Sequence, residues 1–256
     1  MSGTLVLCEI DGAIARLTLN RPDRHNSLVP ELLEELLTAI AEVRRNDSAR
    51  LMVLAAAGRS FSTGGDLAAF HEAEDVAAYS TQLVGLLNEA ILALLDLPQP
   101  VIARVQGPVT GGSLGLVLAA DLVVLAEDAF LAPYYVEVGF SPDGGWSALL
   151  PERIGHARAA EIQLLNRRVA AEEVKALGLA HAVAPAAELN RQVEAWTEAL
   201  SAKVDGGLRA AKARLFDAAR RASIAEALEA ERRSFVDHVT RPETRAGVAR
   251  FLGRAA

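Results

Sequence analysis

Up to Ala126 short apolar runs alternate with helical stretches, joined by turns and two glycine-rich loops. Residues 4–10 and 13–20 are β-like runs separated by Asp11-Gly12, a dipeptide suited to a tight hairpin turn. From Pro30 to Arg45, Leu32, Leu33, Leu36, Leu37, Ile40 and Val43 recur at helical spacing with Glu31, Glu34, Glu35 and Glu42 between them. That spacing predicts an amphipathic helix with an acidic outer face. Residues 51–56, 101–105 and 121–126 read as buried strands, with helices expected over 75–95 and 113–120. Apolar strands alternating with helices predict an α/β fold with a largely buried sheet.

After Pro142 helical patterns dominate, over 157–165, 171–177, 186–203, 208–219, 224–239 and 243–252. Ala184-Pro185 and Gly206-Gly207 read as inter-helix joints. Half of the 256 residues are apolar, a size and composition that one core supports, so one domain is expected rather than two. The longest apolar stretch, 114–126, is interrupted by Asp121 and too short to span a bilayer, so no membrane helix is expected. Met1-Ser2-Gly3-Thr4 carries no basic region before an apolar one, which leaves a cytoplasmic location as the expectation. Cys8 is the only cysteine; it precludes an intramolecular disulfide and reads as a structural thiol. A net charge of −7 speaks against a nucleic-acid partner. His25, His71, His156, His181 and His238 are scattered without ligand spacing, so no metal site is expected, and no nicotinamide or flavin motif is present.

Two strand-to-helix loops share one chemical property. Phe61-Ser62-Thr63-Gly64-Gly65-Asp66 and Gly107-Pro108-Val109-Thr110-Gly111-Gly112-Ser113 are both glycine-rich where the chain enters a helix. Glycine lets backbone approach a ligand closely, and N–H groups at a helix start lack internal partners. Two such donors aimed at one point form an oxyanion hole, worth about 3–4 kcal/mol per donor in a transition state. A tight turn alone would also account for either cluster.

Residues 59–67, Arg-Ser-Phe-Ser-Thr-Gly-Gly-Asp-Leu, resemble the first signature of the crotonase (enoyl-CoA hydratase/isomerase) superfamily. Residues 105–121, a Gly-rich turn, a small-residue helix and a closing aspartate, resemble its second. Asn20-Arg21-Pro22, Asn26-Ser27-Leu28 and Gly178-Leu179 before Val183-Ala184-Pro185 carry the resemblance along the chain. It implies a spiral of β-β-α units over 1–198 and a C-terminal helical trimerisation region over 199–256, packing on the core and on neighbouring subunits. The implied assembly is a homotrimer or dimer of trimers, and the implied substrate an acyl-CoA thioester. Coenzyme A is then the substrate's carrier group, and no cofactor is permanently bound. By position, the oxyanion donors are the N–H groups of Gly65 and Gly112. Arg24, His25, Leu28, Arg59, Thr63, Asp66 and Leu67 are implied beside the adenosine part. Gly111 and Tyr135 join this binding set, as do Phe235 and Arg254 from the C-terminal helices, often those of a neighbouring subunit.

The resemblance also shows a departure. A hydratase of this superfamily uses two glutamates, one to take a proton from water and one to deliver a proton to carbon. Their positions fall on Gly115 and Tyr135. Glycine has no side chain, and a phenol with a reference pKa of about 10 is a poor base. Ordinary hydratase chemistry is therefore not expected, and Gly115 leaves room for a bulkier acyl group unless a neighbour fills it. Asp143, in Ser141-Pro142-Asp143-Gly144-Gly145, is the candidate base, as in superfamily isomerases that resemble this Pro-Asp-x-Gly-Gly loop. One carboxylate suffices for an isomerase, because the proton removed is the proton returned. Asp143 also fits a turn residue, or a nucleophile as in superfamily dehalogenases. A hydratase-type lyase with non-standard acid and base, and a CoA-binding protein without catalysis, remain open. Glu137 has no role by resemblance, and His71 and Glu72 read as solvated helix residues.

Overall fold

The computed structural model describes residues 3–253. Strands β1 (Val6–Asp11) and β2 (Ile14–Leu19) form the expected hairpin, but Asp11 pairs with Ile14. The loop is therefore Gly12-Ala13, one residue later than expected, and Gly12 takes the left-handed conformation at φ +55°. Helix α1 (Pro30–Arg45) begins on a proline, whose missing N–H costs nothing there, and buries Leu32, Leu33, Leu36, Ile40 and Val43. There follow β3 (Leu51–Ala56), α2 (Leu67–Glu72), α3 (Val76–Leu95), β4 (Val101–Val105), β5 (Val109–Thr110), α4 (Leu114–Leu118), β6 (Leu122–Ala126) and β7 (Phe130–Ala132). The remainder comprises α5 (Tyr135–Val138), α6 (Leu150–Ile154), α7 (His156–Leu164), β8 (Val169–Ala170), α8 (Ala171–Ala176), β9 (Ala182–Ala184), α9 (Leu189–Ser201), α10 (Asp205–Leu215), α11 (Ala218–Val239) and α12 (Pro242–Phe251).

The large sheet runs β1-β2-β3-β4-β6-β9, parallel throughout except for the β1–β2 hairpin. A second sheet, β5-β7-β8, is extended by isolated parallel bridges between Leu28 and Gly65 and between Ser62 and Val109. Each turn of chain therefore gives one strand to the large sheet, one short segment to the second ladder, then a helix: β2, Leu28, α1; β3, Ser62 to Gly65, α2 and α3; β4, β5, α4. This is the spiral of β-β-α units implied by the resemblance, with helices after it. Its consequence for function is that the strand-to-helix loops after β2, β3 and β4 all open on the second ladder, so separate loops converge there.

Helices dominate after Pro142 as expected, but two short strands occur there as well: β9 extends the large sheet beside β6 and β8 pairs with β7. At two and three residues they are too short to carry a periodic signal. Ala184-Pro185 is thus a strand end, not a helix joint. Gly206-Gly207 lies in the first turn of α10, where the N–H groups need no helical acceptor and a Cβ would touch nothing.

Among the described helices α3 alone has the length and hydropathy of a membrane span, yet it packs between α1 and α11 as a core helix. Leu228, Phe235, Val239 and Val248 are buried by their own chain, whereas Phe251 is half-exposed. Asp121, which closes the second signature, accepts from Val101 N–H and from Lys212 Nζ, each at 2.7 Å, and so ties α10 to the sheet.

Candidate active site

The two glycine turns touch. A Cβ on Gly64, which sits at φ +77°, would lie 2.7 Å from the carbonyl oxygen of Thr110, and one on Gly111 would lie 3.6 Å from Gly64 Cα. Only glycine permits both the conformation and the approach. The residues that follow this contact, Gly65 and Gly112, both line one cleft.

Neighbouring hydrogen bonds orient both peptide planes. Leu28 N–H donates to the Gly64 carbonyl at 2.7 Å, and Trp146 Nε1–H donates to the Gly111 carbonyl at 2.7 Å. In a trans peptide the C=O and the following N–H point in opposite directions. The Gly65 and Gly112 N–H groups therefore face away from Leu28 and Trp146. Gly112 also lies in the first turn of a short 3₁₀ helix, Gly111–Ser113, where N–H groups lack internal partners.

The cleft encloses about 720 Å³. At its mouth, Asp66 caps α2 through Ala68 N–H at 3.2 Å and pairs with Arg21 at 2.8 Å and Arg24 at 3.0 Å. Burial raises the Asp66 pKa, but the bonds from Arg21 and Arg24 outweigh it and leave the carboxyl below its ordinary value. Arg59 Nη2 lies 2.8 Å from His25 Nε2, and His25 Nδ1 lies 3.0 Å from Ser60 Oγ. Buried Asn26 knots this rim: it accepts from Arg21 N–H at 2.8 Å and donates to the carbonyls of Ala57 and Ser60 at 2.8 and 2.9 Å. Leu28, Thr63 and Leu67 line the same wall.

The inner end is different in kind. Phe70, Phe140 and Phe235 pack with ring centroids 4.8–5.8 Å apart, and the ring of Phe70 lies on Gly65. Phe235 reaches the cleft from α11 of the same chain; Arg254 lies outside the described residues. Asp143 is 6% exposed, and a Cβ on Gly112 would meet both its carboxylate oxygens at 3.1 Å. Tyr135 Oη donates to Asp143 Oδ1 at 2.5 Å. Burial raises the Asp143 pKa, the Tyr135 bond lowers it and the charge of Glu231 raises it again, for a value of about 7. Burial and then the Asp143 charge hold the Tyr135 phenol well above its ordinary value, so it remains a donor.

These contacts settle the two vacated glutamate positions. A Cβ on Gly115 would lie 2.3 Å from Ile91 Cδ1 and 2.5 Å from the Gly144 carbonyl oxygen. A neighbour therefore fills the room expected there, and Gly115 does not line the cleft. At the other position Tyr135 serves Asp143. Glu137 is exposed on α5 and takes no part. Glu231, missed by the sequence reading, accepts four hydrogen bonds from residues 145–148. The signal was present: a charged residue on the apolar stripe of α11.

The enoyl-CoA hydratase/isomerase family model matches residues 9–256. The chain belongs to that family. Among proteins similar to this family member is one from Mycobacterium tuberculosis named "Probable enoyl-CoA hydratase EchA12", 40% identical over 186 residues that cover 69% of this chain and 64% of that one. The match thus spans less than two thirds of that relative's own length. A trans-2-decenoyl-[acyl-carrier-protein] isomerase of Streptococcus mutans is 30% identical over 188 residues, 73% of this chain and 72% of that one. The crystal structure of an enoyl-CoA hydratase from Bacillus halodurans superposes with a TM-score of 0.90 at 25% identity, over 96% of this chain and 99% of that one. Among the described residues no cluster of metal-ligating side chains occurs in this family member.

Proposed function

We propose that the chain is an acyl-CoA isomerase, which moves a double bond in an enoyl thioester by proton transfer through Asp143. The observation that carries this reading is the isolation of Asp143. Of the carboxylates lining the cleft, Asp23 is at the exposed rim, Asp66 is held by two arginines, and Asp143 stands at the apolar inner end against Gly112. Its pKa of about 7 suits a group that must take a proton and give it back near neutral pH.

In this reading the thioester carbonyl oxygen accepts from the Gly65 and Gly112 N–H groups. The free oxygen of ionised Asp143 takes a proton from the α-carbon of a β,γ-unsaturated acyl group. The electron pair moves into a dienolate whose negative charge rests on the held oxygen. Asp143 then delivers a proton to the γ-carbon, leaving the α,β-unsaturated thioester, and exchange of its proton with solvent between the two steps labels the product in heavy water. Tyr135 keeps its bond to Asp143 Oδ1 throughout and fixes which oxygen is free. The rim arginines and His25 suit the phosphates and adenosine of coenzyme A. The naming of one relative as an enoyl-acyl-carrier isomerase supports the same reaction type.

A hydratase reading is favoured by the names of most relatives and by the Tyr135 hydroxyl, a second proton-bearing group beside Asp143. A panel of straight-chain and aromatic unsaturated acyl-CoA thioesters incubated in heavy water, followed by mass spectrometry, separates the two. Deuterium uptake with an isomeric product, reduced about 10²- to 10⁴-fold in Asp143→Asn with coenzyme A binding retained, is the expected outcome. A hydrated product would establish the hydratase reading. A covalent acyl-aspartate would make Asp143 a nucleophile, and tight binding without exchange would leave a non-catalytic CoA binder. A homotrimer or dimer of trimers is proposed for the assembly, with sedimentation in solution as its test.

A further inference from the structure

One face of α11 meets the cleft, and one residue breaks its pattern. Ile224, Leu228, Phe235 and Val239 are buried apolar residues at helical spacing, and Glu231 falls on the same stripe at 4% exposure. A carboxylate in such a place is costly unless its lone pairs are satisfied. Here Oε2 accepts from Gly145 N–H at 2.8 Å, and Oε1 accepts from Ser147 N–H at 2.6 Å, Ser147 Oγ at 2.7 Å and Ala148 N–H at 2.8 Å. All four donors belong to the segment that follows Asp143. Three residues further along α11, Ser234 Oγ lies 2.8 Å from Ser141 Oγ. The helix therefore grips the loop on both sides of Asp143, and Glu231 itself does not line the cleft.

The grip has a visible target. Gly144 packs so tightly that a Cβ there would lie 2.2 Å from the Gly112 carbonyl oxygen. Fixing residues 145–148 thus fixes where the Asp143 carboxyl stands relative to Gly112. The titratable groups facing Asp143 are Tyr135 from α5 and Glu231 from α11. Tyr135 donates a neutral hydroxyl, while Glu231 brings a second negative charge that disfavours ionisation of its neighbour.

We infer that Glu231 is a positioning residue for the proposed proton transfer: it braces the Asp143 loop against Gly112, and its charge strengthens Asp143 as a base. The inference rests on the reading of Asp143 as the base. Burial raises the Glu231 carboxyl above its ordinary value, while the hydrogen bonds from Gly145, Ser147 and Ala148 oppose that shift and favour the ionised form.

Glu231→Gln tests it, because the amide keeps the shape, removes the charge and turns one acceptor into a donor facing N–H groups. With a β,γ-unsaturated hexenoyl-CoA in heavy water, kcat for exchange falls about 10- to 100-fold while KM stays within about twofold. The acid limb of the pH profile moves to lower pH, because removing the nearby negative charge lets Asp143 ionise more readily. Coenzyme A binding by calorimetry is unchanged. Ser147→Ala, which removes one of the four donors at an exposed residue, gives a smaller loss in the same direction. A wild-type kcat and pH midpoint in Glu231→Gln would overturn the inference, as would loss of coenzyme A binding in step with kcat, which marks a general structural brace. If Glu231→Gln does not fold, an unchanged kcat in Ser147→Ala overturns it. Exchange that survives Asp143→Asn sinks the base reading itself, whereas an inactive Asp143→Asn beside a wild-type Glu231→Gln sinks this inference alone.

Discussion

Asp66 and Asp143 line one cleft at nearly equal burial, 5% and 6% exposed, and their acidities move in opposite directions. Asp66 faces two guanidinium groups and a helix N-terminus, all of which favour the carboxylate. Asp143 faces a phenol, glycine backbone and a second carboxylate, and it is held up at about 7. Burial alone therefore distinguishes nothing. The neighbours make the first a fixed strut for the rim and the second a group able to exchange its proton near neutrality.

Removing each charge with the same substitution breaks the comparison most sharply. Asp66→Asn leaves Arg21 and Arg24 without their anion and weakens the cap on α2. Breaking a buried pair by removing one partner costs about 3–5 kcal/mol, and the half-exposed Arg24 reduces that, so a loss of roughly 2–4 kcal/mol is expected in urea unfolding at pH 7. Asp143→Asn is expected to shift the urea midpoint the other way, because it removes a charge that the inner end does not solvate while its carbonyl still accepts from Tyr135. A loss of stability in both variants would show that the inner carboxylate is held as firmly as the outer one.

Much of this contrast was written in the chain, and part of it was not. Strand and helix positions followed from hydrophobic period, and α1, β3 and β4 have the bounds expected of them. The glycine pairs stood out as clusters where the chain enters a helix, whereas Asp143 stood out only through the resemblance, since an Asp-Gly turn accounts for it as well. Tyr135 was visible as a missing glutamate and a member of the binding set but not as the partner of Asp143, since that bond depends on how α5 and the 141–145 loop fold back on each other. The fate of Gly115 was likewise tertiary: Ile91, on a different helix, decides it. Glu231 was legible in principle, as the one charge on the stripe of Ile224, Leu228, Phe235 and Val239. Its role was not legible, because the donors that satisfy it, at Gly145, Ser147 and Ala148, meet α11 only in the tertiary fold.

The pH dependence of stability sharpens the comparison further. Asp143 has a folded pKa raised from 3.8 to about 7, so the folded state binds more protons between those values. Its contribution is fully present below about pH 4 and is lost as the pH rises through 7. The Tm of Asp143→Asn should match wild type near pH 4, rise above it through neutrality and keep a constant lead beyond about pH 8. Asp66, with its pKa lowered, has the opposite sign: its contribution is present above the ordinary carboxylate range and is lost as the pH falls through its folded value. Thermal scans of both Asn variants across the range read the two signs directly. A Tm difference for Asp143→Asn that does not change with pH would mean that the carboxyl does not titrate in this window.

The smallest effect tests whether the rim serves binding or merely supports the fold. Arg24 keeps 53% of its side chain exposed while it pairs with Asp66, and Arg21 holds the same carboxylate from a more buried place. An exposed pair contributes about 0–1 kcal/mol, so Arg24→Gln should barely change stability. If the mouth receives the nucleotide part of coenzyme A, the same substitution weakens coenzyme A binding by about tenfold, as loss of one charge-assisted contact does. It leaves an acyl-pantetheine, which lacks the nucleotide, bound as before. Calorimetry with the two ligands reads that difference. Equal weakening for both would place the influence of Arg24 on the shape of the cleft through Asp66, and the outer carboxylate would then govern the inner end as well as the rim.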